Sequence, residues 1–258
     1  MTPALQQLVH LANAIGQPTR DQTILGEGNA SALEDADSFW VKASGFSMTG
    51  IEASGFVRVN LAPVLETYAY DVVTDEHVRE VLLSARADAN SKVMPSVETF
   101  FHAWLLSLPD ISFVGHSHAT PVLSLLCLED AEEVSSMRLF PDEVVCCGPA
   151  SAFVPYVDPG LPLAQAIRQQ VLNFADTHGA LPRTIMLKNH GIIAAGKTPR
   201  EVESALFMAE KAARVKLAAL GLGLPISRLS DVQIDRIHTR PDEHHRQRLL
   251  WQMQQGRP

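Results

Sequence analysis

Thr184-Ile185-Met186-Leu187-Lys188-Asn189-His190-Gly191-Ile192-Ile193-Ala194-Ala195 is the stretch on which the fold turns. Two apolar runs of strand length flank Asn189-His190-Gly191, and Asn and Gly both tolerate the positive φ of a tight reversal. The pattern predicts a β-hairpin, hence an antiparallel pair rather than the strand–helix–strand unit of a doubly wound sheet. Just beyond it, Thr198-Pro199-Arg200-Glu201 opens a helix. Thr198 is its N-cap, Pro199 its first helical residue, and Glu201 closes a capping box. This helix runs to about Leu220 and stops at Gly221.

Working outward, apolar positions recur at helical spacing from Thr2 to Ile15. Leu25 to Ser31 reads as a turn-rich piece. Phe39 to Ala43 and Phe56 to Asn60 read as strands, with Ser44-Gly45 a tight turn between them. Helices are predicted over His77 to Ala87, Val97 to Leu106, Pro121 to Leu128 and Leu163 to His178. Ile111 to His118 and Glu143 to Cys147 read as strands. The tail from Pro225 holds a polar, Arg-containing helical stretch, either a surface helix or an arm on a neighbouring subunit. Gly26-Glu27-Gly28 lacks the third glycine of a dinucleotide-binding fingerprint. Without regular βαβ alternation, these elements predict an α/β fold with a mixed, mostly antiparallel sheet covered by helices.

The chain has 258 residues, 46% of them hydrophobic, and a formal net charge of -8. That supports a sizeable core in one domain over 1–258 with a helical tail from about 225. Lys and Arg form no stripe, so no nucleic-acid partner is expected. No apolar run approaches ~20 residues, so no membrane span is expected, and the first residues lack the basic and apolar regions of a secretory signal. Cys127, Cys146 and Cys147 show no CxxC spacing and read as reduced, mostly buried thiols of a cytosolic protein.

Chemistry concentrates in Phe113-Val114-Gly115-His116-Ser117-His118. Residues i and i+2 of a strand share a face, so His116 and His118 can address one ion. His190, at the turn of the hairpin, is a candidate third ligand, and three protein ligands leave an open position for substrate. On spacing alone two readings stand: ligands of one metal, or structural histidines. His10, His77, His178, His238, His244 and His245 read as surface or core residues. His102 lies four residues after Glu98 on one helical face and reads as structural. Glu98 follows Met94-Pro95-Ser96-Val97 and is expected in the first turn of a helix. It is either a carboxylate favoured by the helix dipole or one aimed at a metal-bound substrate.

Gly28-Asn29-Ala30-Ser31, Ala43-Ser44-Gly45, Pro95-Ser96-Val97-Glu98, His116-Ser117-His118 and Asn189-His190-Gly191 occur in the order seen in the class II aldolase/adducin family. That family includes fuculose- and rhamnulose-phosphate aldolases and ribulose-phosphate 4-epimerases. The resemblance covers roughly residues 4–220. Gly28-Asn29 with Trp40-Val41-Lys42-Ala43-Ser44-Gly45 is similar to the aldolase half of bifunctional rhamnulose-phosphate aldolase/lactaldehyde dehydrogenases. The resemblance implies a three-layer α/β/α sandwich and commonly a homotetramer, here expected in the cytoplasm. It implies Zn2+, or another divalent ion such as Mn2+ or Co2+, on His116, His118 and His190. Glu98 matches the family's acid/base carboxylate, which can also ligate the resting metal. Asn29, Ser44, Gly45 and Ser96 match the positions that hold a substrate phosphate. Lys42 adds charge there or is a surface lysine.

The implied activity is that of a metal-dependent aldolase on a small keto sugar or sugar phosphate, through a metal-stabilised enediolate protonated by Glu98. The alternatives are a sugar-phosphate 4-epimerase, a keto-sugar-acid decarboxylase, and a non-catalytic adducin-like interaction module. Two departures stand out. Val97 occupies the place where a second serine often precedes the glutamate, and none of Tyr68, Tyr70 and Tyr156 aligns with the family's aldehyde-side tyrosine. Tyr156 reads as a displaced substitute or a hydrogen-bonded, partly buried residue.

Overall fold

The computed structural model describes residues 1–70 and 74–240. Its strands are β1 (Asn29–Leu33), β2 (Ser38–Lys42), β3 (Phe56–Asn60), β4 (Phe113–Ser117), β5 (Ala152–Val154), β6 (Thr184–Leu187) and β7 (Gly191–Gly196). The α-helices are α1 (Pro3–Ile15), α2 (Leu61–Glu66), α3 (Asp75–Ser84), α4 (Thr99–Leu106), α5 (Thr120–Leu126), α6 (Ala131–Ser136), α7 (Pro141–Cys147), α8 (Leu161–His178), α9 (Pro199–Gly221) and α10 (Asp231–His238). The strands form one sheet in the order β3-β2-β1-β4-β7-β6-β5. Only β5 with β6 is parallel; the other neighbours are antiparallel. This is the α/β fold with a mixed sheet that the hairpin implied.

Period-two alternation splits the buried side chains between two cores. Val114, Ile185, Leu187, Ile193 and Ala195 face α4 and α8, meeting Phe100, Phe101, Leu163 and Ile167. Phe113, Met186, Ile192 and Ala194 face the other way, toward Leu8 and Ile15 of α1, Leu125 of α5, and Val202 and Leu206 of α9. A sheet buried on both sides needs apolar residues on consecutive positions, which explains the uninterrupted apolar runs of β6 and β7.

The β6–β7 hairpin forms as expected, with Leu187 paired to Gly191. Thr198 caps α9 in a complete capping box with Glu201, and Pro199 lies in its first turn. Thr2 caps α1. Three expectations need correction. Asn29–Leu33 is a strand rather than part of a turn, because β2 and β4 pair with it on both sides. Glu143 to Cys147 belongs to a helix, not a strand. Pro141 opens that helix and Asp142 and Glu143 fill its first turn, where carboxylates meet the positive end of the helix dipole. A four-residue apolar run cannot by itself separate the two structures. β5 had no counterpart in the sequence pattern. Helix α9 also continues through Gly221, and the left-handed residue after it is Gly223, at φ 67. The tail contains α10; its continuation from 241 lies outside the described residues.

Gly115 lets α9 and α1 pack directly on β4. A Cβ there would stand 2.7 Å from Val202 Cγ1, 3.1 Å from Leu206 Cδ1 and 3.2 Å from Ile15 Cδ1. Overpacking a filled core costs about 1–3 kcal/mol. Gly115→Ala is therefore expected to lower the unfolding free energy by about that amount in urea titrations. Thr198→Ala, which removes a helix cap, should cost about 1 kcal/mol.

Candidate functional site

His116 lies near the end of β4, paired across the ladders with Asn29 of β1 and Ile193 of β7. His118 follows one residue beyond the strand, and His190 immediately precedes β7. Asn189 makes the reversal with φ 54. Gly191 serves a different purpose from the positive φ expected of it: a Cβ there would lie 2.4 Å from the Ser117 carbonyl oxygen and 3.1 Å from His118 Cδ2. Glycine thus permits the close approach of β7 to β4 at the level of the histidines. Glu98 arrives from the α4 side as the N-cap residue of that helix, one step before the first turn in which it was expected. Its approach is fixed by Pro95, which bridges to Ala43.

One side-chain donor atom from each of Glu98, His116, His118 and His190 lies within 4.8 Å of the other three. Glu98 Oε1 is 3.3 Å from His116 Nε2 and 3.6 Å from His190 Nε2. His118 Nε2 is 2.9 Å from His116 Nε2. Ions bound at about 2.0–2.1 Å in a tetrahedron place neighbouring donors about 3.3–3.4 Å apart. The donor set therefore fits a divalent cation in both chemistry and spacing. His116 Nδ1 donates to the Ile192 carbonyl at 3.0 Å, which fixes the ring with Nε2 turned toward the cluster.

Burial depresses the His118 pKa to about 3, reinforced by His116 and His190 and opposed by Glu98. Its ring is therefore neutral, as a ligand must be, at physiological pH. Burial alone would raise the Glu98 pKa. The charge of His116 and the hydrogen bonds from His116 and His190 outweigh it and hold the carboxyl well below its ordinary value.

Beside the cluster, Asn29 Nδ2 donates to Ser96 Oγ at 2.7 Å and to Glu98 Oε2 at 3.3 Å. The Ser44 amide donates to the Met94 carbonyl at 2.8 Å, and Gly45 turns with φ 82. The loops carrying Asn29, Ser44, Gly45 and Ser96 are thus stitched together. Lys42 is not a surface residue: it is 3% exposed. Its ammonium donates to the Gly26 carbonyl at 3.2 Å and the Phe46 carbonyl at 2.7 Å. Burial lowers its pKa, and the Glu98 carboxylate opposes that shift. No local pattern reveals this position, since the acceptors reach it only through the fold.

Other candidates are not among the donors of the cluster. Tyr68 donates to the Phe100 carbonyl, and Tyr70 is half exposed. Tyr156 is 57% exposed, not partly buried, and bonds to Asp158. His10 and His178 are exposed, whereas His102 is buried against Ser31. His244 and His245 lie outside the described residues. Cys147 is buried, Cys146 partly so, and Cys127 exposed.

Residues 6–217 match the model of the class II aldolase and adducin N-terminal domain. The chain belongs to the class II aldolase/adducin family. Solved structures agree with that assignment. The N-terminal class II aldolase domain of a conserved protein from Thermoplasma acidophilum is 25% identical with TM-score 0.65, over 84% of this chain and 95% of that one. An L-fuculose 1-phosphate aldolase is 16% identical with TM-score 0.66, over 92% and 95%. A sugar-phosphate aldolase from Thermotoga maritima is 18% identical with TM-score 0.64, over 87% and 98%. Among curated proteins no sequence match is found. Among the described residues no helix is long and apolar enough to cross a membrane.

Within this class II aldolase fold, Lys42 clamps the loops at Gly26 and Phe46. Hydrogen bonds to a charged group contribute about 1.5–3 kcal/mol. Lys42→Met keeps the volume of the stem and removes those bonds. It should lower the unfolding free energy by about 2 kcal/mol and speed proteolysis within residues 24–28 and 44–49. An unchanged denaturation midpoint and cleavage pattern would show that the clamp contributes nothing.

Proposed function

We propose that the chain is a metal-dependent aldehyde-lyase of the class II aldolase type, which cleaves or forms a small keto sugar or sugar phosphate. The observation that carries this reading is the convergence of Glu98, His116, His118 and His190 on one point at ligand spacing. The three imidazoles would hold the ion, proposed to be Zn2+, with Mn2+ and Co2+ as alternatives. A divalent ion there supplies Lewis-acid polarisation of a substrate carbonyl.

The chain's own residues supply the remainder. Glu98, held ionised, is the base that takes a proton from the carbon beside the carbonyl, and the acid that returns it. Asn29 bonds to Glu98 Oε2 and so directs Oε1 toward the histidines. Ser44 and Ser96 offer hydroxyl donors and Gly45 a backbone donor for a substrate phosphate; Asn29, whose two amide N–H groups go to Ser96 and Glu98, would join them by giving one of those bonds up. Lys42 adds a positive charge close behind them. In keeping with the family, we propose a homotetramer in the cytoplasm.

A second reading, sugar-phosphate 4-epimerase or keto-sugar-acid decarboxylase, is favoured by one observation. None of Tyr68, Tyr70 and Tyr156 aligns with the tyrosine that the family's aldolases bring from a neighbouring subunit to the aldehyde side, and Tyr68 and Tyr156 are engaged by Phe100 and Asp158. The same polarised carbonyl serves those reactions. An adducin-like interaction module would have no use for a four-donor cluster with an ionised glutamate.

His116→Ala and His118→Ala are each expected to strip the divalent ion, read by elemental analysis of the purified protein. Full occupancy in both variants would remove the ligand assignment. Glu98→Gln should retain metal and lose about 10²–10⁴-fold in turnover, the usual contribution of a proton-transfer group. The assay offers zinc-loaded protein dihydroxyacetone, its phosphate and a set of aldehydes, with pentulose phosphates alongside to detect epimerisation. Turnover of Glu98→Gln near that of the parent would sink the acid/base role.

A further inference from the structure

His102 has no part in the site described so far, yet it is an expensive residue for its position. It is fully buried in α4, with its ring stacked on Phe101 at 4.5 Å between centroids. Nδ1 lies 2.7 Å from Ser31 Oγ, but Nε2 has no hydrogen-bond partner. A buried polar atom without a partner costs stability that a leucine or phenylalanine would not. Core packing alone therefore does not account for an imidazole here.

Its geometry does. Ser31 lies two residues beyond Asn29 on β1, and His102 lies four residues beyond Glu98 on the α4 side. Two strand steps cover about 6.6 Å, and four helical steps about 6.0 Å. The two spacings nearly match, so β1 and this segment are joined by two parallel polar rungs. One rung is Asn29 Nδ2 to Glu98 Oε2 at 3.3 Å, and the other is Ser31 Oγ with His102 Nδ1 at 2.7 Å. Each pair of residues shares a face of its own element. The side chains of Phe100, Phe101 and Leu105 in α4 pack in the apolar core, and Tyr68, which bonds the Phe100 carbonyl, is not part of β1. Apolar contacts are non-directional and do not by themselves fix how far the helix sits along the strand.

We propose that His102, held by Ser31, is a positioning residue. It sets the axial register of α4 on β1, and through it the place of the Glu98 carboxylate against His116 and His190. The inference rests on the metal reading above and assigns a role to two residues outside the donor cluster.

The test uses the full chain stripped of metal and titrated with Co2+ against a competing chelator, recording affinity, visible spectrum and melting temperature. His102→Leu preserves volume and deletes the rung. Ser31→Ala deletes the same rung with little change in bulk, and serves if the leucine variant fails to fold. His102→Asn places an amide near the position of Nδ1 and can rebuild the bond. Both deletions should weaken Co2+ binding about 10-fold, within the range for residues that orient metal ligands, and alter the visible spectrum. His102→Asn should return affinity to within about threefold of the parent whatever its melting temperature. Parental affinity and spectrum in both deletion variants, with only melting temperature changed, would overturn the inference and leave the metal site standing. A parent protein that takes up no Co2+ would instead overturn the metal reading, and this inference with it.

Discussion

Strands β4 and β7 must approach each other closely where both reach the site, and the backbone at Gly191 permits this. The Ser117 carbonyl oxygen lies 2.4 Å from where a Cβ of residue 191 would be. Antiparallel ladders flank β4 on both sides. A one-residue slip would therefore turn His116 from the α4 face to the α1 and α9 face. Register thus decides whether His116, His118 and His190 meet at all. The same contact orients one of them, since the Ile192 carbonyl that holds His116 Nδ1 belongs to the residue after Gly191.

Gathering three imidazoles, a carboxylate and a buried ammonium at one end of a sheet opposes stability, and the two apolar cores offset it. Burial keeps His118 neutral, so the cluster is spared three adjacent positive rings. A second set of buried charges sits away from the site. Lys216 Nζ of α9 is 3.0 Å from Glu143 Oε1 of α7, and Arg138 Nη1 is 3.8 Å from the same oxygen. Such a group is weak evidence for stability, because desolvation cancels much of the attraction. It does, however, demand one arrangement of α7 against α9. Glu143 can reach Lys216 with Val144 and Cys147 buried beside it because the segment is helical, which is where the strand expectation for Glu143 to Cys147 failed.

Elements specified by neighbours in sequence were legible. The Asn189-His190-Gly191 reversal, the Thr198 capping box and the Thr2 helix start are local arrangements, and the spacing of His116 and His118 needs only the period of a strand. Elements specified by distant partners were not. Asn29-Ala30-Ser31-Ala32 has none of the β-branched residues that mark strands, and becomes one because β2 and β4 pair with it. Lys42 resembles any strand-end lysine until Gly26 and Phe46 fold over it. The family motifs pointed to Glu98, but its aim depends on Pro95 meeting Ala43 and on Asn29 holding Oε2.

This division separates chemistry from recognition. His116 lies in β4 and His190 just before β7, and the positions of both strands are set by ladders and two cores. The groups proposed to hold substrate come from the Ser44-Gly45 turn, the stretch before α4, and the start of β1 just after the loop at Gly26. Their surroundings expose apolar side chains: Leu25 at 85%, Val97 at 44% and Phe46 at 37%. Val97 brings methyl groups where a serine would bring a donor, so an anion proposed beside Ser96 would depend on the Ser96 hydroxyl and on the field of Lys42. Lys42 spends two of its three N–H donors on loop carbonyls. It therefore orders the loops proposed to hold substrate and charges them at once. If these loops hold substrate as proposed, substitutions in them would alter recognition while leaving the four-donor cluster intact, because the cluster's donors come from Glu98, β4 and the turn before β7.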